Sequence, residues 1–235
     1  MCDMTGNNKI KGLLLNEWYT MGKMFIAVCV MVIASLFGSL CMAAATGEAV
    51  IGFSTVTGGI GVMLLSSAFS YDNWKSIGSF KKSMPYSDSE VVLVRFLPPV
   101  MLIAVEAFCT PILLTIGGLI HGDLSEGFAG QAAFVTVVNV LYTAIPVMIF
   151  YPLFFKYGYQ KVQMIYGLFG GLAVTGSIPL SMMGMVRSSD DENMADKSML
   201  INMPVPVCVI IIAVVAALIV VAYKVSVAGY SKRDD

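Results

Sequence analysis

The sequence predicts an all-α integral membrane protein. It has six transmembrane helices with both termini in the cytoplasm, an amphipathic helix in the interface ahead of the first, and a short cytoplasmic helix between spans two and three. Three observations predict this. The 235 residues are 57% hydrophobic and only 12% charged, with a mean hydropathy of +0.82; a soluble domain carries about 25% charged residues. Six apolar runs reach the roughly 20 residues that a helix needs to cross the hydrocarbon core. Lysine and arginine then alternate between the loops, as the positive-inside rule requires. So much apolar surface excludes a soluble enzyme, a secreted disulfide module and a disordered tail. A net charge of −1 gives no bulk attraction for nucleic acid.

Taken in order, residues 9–22 read KIKGLLLNEWYTMG. Ile10, Leu13, Leu14, Trp18 and Met21 share one helical stripe. Lys9, Lys11, Asn16 and Lys23 keep largely to the other side, the pattern of an interfacial helix. The first span follows at about 24–46. Ala43-Ala44-Ala45 resembles a cleavage site, but the apolar stretch before it exceeds the 7–15 residues of a signal-peptide core. The second span is expected over about 49–70, with Gly58, Gly59 and Gly61 allowing close helix packing.

The longest inner loop joins spans two and three and is rich in bases and aromatics. A short helix is predicted over about 73–83, ended by Met84-Pro85 because a residue before proline avoids the helical region. Ser87 and Glu90 then form a capping box at the start of span three, 91–120. Arg95 is expected to snorkel at the interface. The fourth span covers about 127–155, the fifth 162–186 with Gly167, Gly170 and Gly171 as packing positions, and the sixth 203–223 within the run Ser198–Tyr223. Pro146, Pro204 and Pro206 interrupt these runs or mark a helix start.

With the N-terminus inside, the inner segments are 1–23, 71–95, 156–161 and 224–235. They hold 12 of the 14 lysines and arginines, leaving only Arg187 and Lys197 outside. Seven acidic residues lie inside and seven outside, so the near-neutral chain is basic on one side and acidic on the other. The five cysteines show no metal-ligand spacing and read as small packing residues. His121 stands alone beside Asp123 and forms neither a metal site nor a catalytic relay.

Two features bear on function. The loop 69–97 contains Phe69-Ser70-Tyr71-Asp72, then Met84-Pro85-Tyr86-Ser87, Val91-Val92-Leu93 and Arg95-Phe96-Leu97. With the opening Lys11-Gly12-Leu13-Leu14-Leu15-Asn16-Glu17-Trp18 and the ending Ser226, Tyr230, Ser231, Lys232, Arg233, this order resembles the permease subunit of a type-2 ATP-binding-cassette exporter of the short, six-span bacterial kind. The resemblance implies a single transmembrane permease domain over 1–235 that performs no chemistry, with ATP and Mg bound by two copies of a separate ATPase. It implies a second permease chain as well, as a homodimer or heterodimer in the bacterial plasma membrane.

The same resemblance implies that residues 72–86 are the coupling segment. Tyr71, Asp72, Trp74, Lys75, Ile77, Phe80, Lys81, Met84 and Pro85 would be its ATPase-facing residues, with Ile77 standing where the family carries an aromatic. Residues 187–202 would form the outer connection before the last span. The substrate class implied is hydrophobic or amphipathic: an antimicrobial or toxin peptide, or a drug. No Gly-x-x-x-x-Gly-Lys-Ser/Thr phosphate loop occurs, so ATP hydrolysis would fall to another chain.

The second feature is Glu106, the one ionisable residue deep in a span. A charge facing lipid there costs at least about 2.5–3.5 kcal/mol, so it must face protein or water, or be protonated. It reads either as a substrate-pathway residue with Asn139 and Tyr142, or as a neutral carboxyl hydrogen-bonded to Asn139, Tyr142 or Thr143. A proton-coupled secondary carrier using Glu106 is the alternative to an ATP-driven exporter. An ion channel ranks behind both, because the spans largely lack the polar rings of a pore.

Overall fold

A computed structural model describes residues 6–46, 69, 86–122, 128–169 and 204–232. They form four long helices: α1 (Gly6–Thr46), α2 (Asp88–His121), α3 (Phe128–Tyr157) and α4 (Val205–Ser231). A further helical stretch occupies residues 159–169, and no strand occurs among the described residues. Among the described residues, four helices are long and apolar enough to cross a membrane: Ile26–Ala45 within α1, then α2, α3 and α4. They correspond to the first, third, fourth and sixth expected spans. The second and most of the fifth lie outside the described residues, as does the 187–202 connection.

Local chemistry sets the helix ends. Gly22 sits inside α1 at φ 30°, ψ −106°, a backbone that residues with a Cβ rarely adopt, and it separates the amphipathic segment from the apolar one. The Ser87–Glu90 capping box is present. The Glu90 amide donates to Ser87 Oγ at 3.3 Å, and the Ser87 amide donates to Glu90 Oε2 at 2.9 Å. Two amides that the helix cannot satisfy are thereby paired. Gly122 closes α2 in the left-handed conformation. Pro204 opens α4, where its missing N–H costs nothing. Pro98, Pro99 and Pro111 lie within α2 and Pro146 and Pro152 within α3, each removing one helical amide.

Lipid tails are as apolar as leucine, so packing and polar contacts rather than water exclusion must hold such helices together. α1 presents Ile26, Val30, Ile33 and Phe37 outward at helical spacing, and α4 does the same with Ile210, Val214, Leu218, Val221 and Val225. Inward, α1 meets α2 very closely at Gly117. A Cβ there would lie 2.6 Å from Ala43 Cβ and 2.9 Å from the Leu40 carbonyl oxygen. His121 Nδ1 lies 3.2 Å from the Ala44 carbonyl oxygen at the same end. Of the glycines expected to pack against neighbouring helices, Gly58, Gly59, Gly61, Gly170 and Gly171 lie outside the described residues, and the correction concerns Gly167. Gly167 has nothing within 4 Å of an added Cβ among the described residues, whereas Gly117, and Gly229 of α4 against Lys156 of α3, stand where helices touch. Leu13 is buried with Val91 and Val94, with Leu14 and Tyr86 packed beside them. That part of the amphipathic stripe therefore meets α2. The side chains of Ile10, Trp18 and Met21 are not among those described.

Candidate functional site

Among the described residues, two groups stand apart from ordinary apolar packing. One is an aromatic cluster at the end of the bundle where α2 begins and α3 and α4 end. Phe69 lies at its centre. Its ring sits 5.2 Å from Tyr151, 5.0 Å from Phe154 and 5.1 Å from Phe155. Phe96 packs edge-on to Tyr151 and Tyr223, while Tyr166 and Tyr159 close on Phe154 and Tyr230 on Phe155. Edge-to-face and offset pairs of this kind add about 0.5–1.5 kcal/mol each beyond buried area. The Arg95 guanidinium carbon lies 4.6 Å from the Phe69 ring centroid, and Arg95 is only 6% exposed. The expected snorkelling is therefore corrected: Arg95 turns into the protein, where aromatic faces replace part of its hydration. The Tyr223 hydroxyl also donates to the Ser89 carbonyl at 3.2 Å, joining α4 to the first turn of α2.

The expected ATPase-facing residues, Tyr71, Asp72, Trp74, Lys75, Ile77, Phe80, Lys81, Met84 and Pro85, lie outside the described residues. Both ends of that stretch are described. Phe69 is held in the aromatic cluster, and Tyr86 packs beside Leu13, Val91 and Val94 before the Ser87 cap.

The second group is a polar seam between α2 and α3. Glu106 is 4% exposed, and the Thr143 hydroxyl donates to its Oε2 at 2.5 Å. The same hydroxyl lies 3.0 Å from the Asn139 carbonyl oxygen, one turn earlier. Of the three partners open to Glu106 in the sequence, the structure selects Thr143. Asn139 is buried in the seam and enters the network through its backbone carbonyl, and Tyr142 is half-buried one position before Thr143. Thr110 is fully buried one turn beyond Glu106, and its Oγ1 has no hydrogen-bond partner among the described residues. Sequence reasoning passed over Thr110. Its signal was the four-residue spacing from Glu106, which places both on one helix face. Among the described residues, no group of three or more His, Cys, Asp or Glu could hold a metal ion.

Long apolar helices, a cap that starts α2 in a polar turn, and polar groups turned inward define a multi-pass α-helical membrane protein. The chain matches the model of the ABC-2 family transporter protein over residues 12–231, and so it belongs to that family as an ABC-2 type permease subunit. No curated protein and no solved structure matches it. The family is the membrane component of an ABC transporter and not its ATPase, and it implies an ABC ATPase partner.

Proposed function

We propose that this chain is the permease subunit of an ATP-driven exporter. In this reading six spans place both termini in the cytoplasm of a bacterial cell. Two permease chains form the pathway, and two ATPase chains bind ATP and Mg below it. The observation that carries the reading is the family match over nearly the whole chain, in a sequence without a phosphate loop. The twelve basic residues of the expected inner segments support the orientation.

Residues 72–86 dock on the ATPase and deliver its movement. The anchoring of Phe69 and Tyr86 at the two ends of that segment supports this, because a push on it would reach α2, α3 and α4 through packed side chains. Glu106, Asn139 and Tyr142 line the substrate pathway, and the substrate is hydrophobic or amphipathic, such as an antimicrobial or toxin peptide or a drug.

Co-expression with an ABC ATPase encoded beside it tests this reading. The expected result is a stable complex that loses the ATPase when Trp74 and Phe80 are both changed to Glu, with ATP-dependent transport in vesicles that survives an uncoupler. Full co-purification of the ATPase with the doubly changed permease would overturn the docking assignment. Transport abolished by uncoupler, with no ATPase partner, would instead indicate a proton-coupled carrier acting through Glu106.

A further inference from the structure

The polar seam between α2 and α3 contains an acid with no base beside it among the described residues. Glu106 meets the Thr143 hydroxyl and no cationic group among the described residues. Arg95 belongs to the same helix, but eleven residues separate them, about 16 Å of helical rise. Its guanidinium is turned toward Phe69. A carboxylate removed from water must be neutralised, by a proton or by a cation that arrives.

The groups around it discriminate between these. Thr136 spends its hydroxyl on the Ala132 carbonyl at 2.7 Å, and Thr143 spends its own on Glu106 and Asn139. Thr110 has spent nothing: its hydroxyl is buried and has no partner among the described residues. Pro111, next in sequence, lacks the amide that would bond the Ala107 carbonyl. One turn of α2 therefore offers three oxygen acceptors: the Glu106 carboxylate, the Ala107 carbonyl and the Thr110 hydroxyl. A primary ammonium has three N–H donors and no acceptor, which matches that set. Leu102, Ile103 and Leu114, buried along the same helix, supply apolar surface on either side. The prolines Pro111 and Pro146 weaken both helices within about a turn of the seam, where they would have to part to admit a ligand.

From this we propose that the Glu106–Thr110 seam binds the primary ammonium group of a cationic amphiphile. Glu106 supplies the charge, Thr110 and the Ala107 carbonyl take the remaining N–H groups, and Thr143 orients the carboxylate. The inference deepens the permease reading by naming the charge class of the substrate. It rests on that reading only for what is carried, not for binding.

The experiment uses the full chain alone in lipid nanodiscs, without ATPase, and dodecylamine as the probe with 1-dodecanol as its neutral match. Thermal unfolding and a binding titration are read for the wild type and for Glu106→Gln, Glu106→Asp and Thr110→Val. The expected result is stabilisation by the amine but not the alcohol. Affinity falls at least tenfold in Glu106→Gln and about fivefold in Thr110→Val, and Glu106→Asp stays within threefold of wild type.

Thr110→Val carries a signature that a purely structural role would not produce. Removing an unpartnered hydroxyl leaves the ligand-free protein as stable as before or more so, while amine binding weakens. Amine affinity unchanged in Glu106→Gln or in Thr110→Val, or no response of the wild type, would overturn the proposal. So would stabilisation by Na⁺ or K⁺ alone that Glu106→Gln abolishes, which assigns the seam to a metal cation. A ligand-free stability that depends on pH only when Glu106 is present, without an amine response, assigns it to a proton and also overturns the proposal. A permease that binds the amine but captures no ATPase leaves this inference standing and removes the exporter reading instead.

Discussion

The guanidinium of Arg95 lies over the ring of Phe69, 4.6 Å from its centroid, and both residues are buried. A cation over an aromatic face contributes up to about 2 kcal/mol when water is excluded from the pair. Phe69 does not belong to α1–α4, and Arg95 comes from the second turn of α2, so the pair ties the chain just before residue 72 to the bundle.

Replacing Phe69 with Leu keeps apolar bulk and removes the ring. Thermal unfolding in nanodiscs is expected to show a loss of roughly 1–3 kcal/mol, from the cation–π pair together with edge contacts to Tyr151 and Phe155. Phe69→Tyr keeps the face and should recover most of the stability. Equal stability of the Leu and Tyr variants would show that the ring face carries nothing.

Gly117 tests the closest approach of α1 and α2. A Cβ at 2.6 Å from Ala43 Cβ and 2.9 Å from a backbone oxygen forces one helix to move. Gly117→Ala is expected to destabilise by about 1–3 kcal/mol, the usual cost of overpacking. Ala43→Gly removes one of the two clashing atoms, so the double variant should be more stable than Gly117→Ala alone. Strict additivity of the two changes would mean that the helices do not meet there.

Ser87 caps α2 in a polar turn, so its loss should be local. Ser87→Ala is expected to cost about 1 kcal/mol and to speed amide exchange at Glu90 and Val91, with Ser87→Asp restoring both. Exchange that is unchanged at those amides in the Ala variant would remove the cap as the cause of the helix start.

These sites differ in how much of them could be read before folding. The Ser87-x-x-Glu90 cap and the Pro204 start of α4 are local, so residue types at fixed spacing were sufficient. Snorkelling was expected of Arg95 because hydropathy along one helix cannot show that the ring of residue 69 comes to lie against it. Gly117 and Gly167 look alike as small residues in apolar runs. Which one touches another helix depends on how α1 and α2 cross, and no local pattern records that. The choice of Thr143 over Asn139 and Tyr142 as the partner of Glu106 likewise follows from the register of α2 against α3.

That register supplies the last test. Thr143 Oγ1 donates to Glu106 Oε2, and the carboxyl has no other partner among the described residues. Thr143→Val therefore leaves a buried carboxyl unsatisfied, at a cost of about 1–3 kcal/mol. Thr143→Ser keeps the hydroxyl and should stay close to wild type. In Glu106→Leu the Thr143 hydroxyl falls back on the Asn139 carbonyl, which already lies 3.0 Å away, so nothing is stranded by the change. The double variant Glu106→Leu, Thr143→Val removes both groups and is expected to be more stable than Thr143→Val alone, because removing both members of a pair strands neither. Thermal unfolding of the four proteins in nanodiscs gives the coupling energy directly. A value near zero would show that the two side chains act independently and would remove Thr143 as the group that orients Glu106.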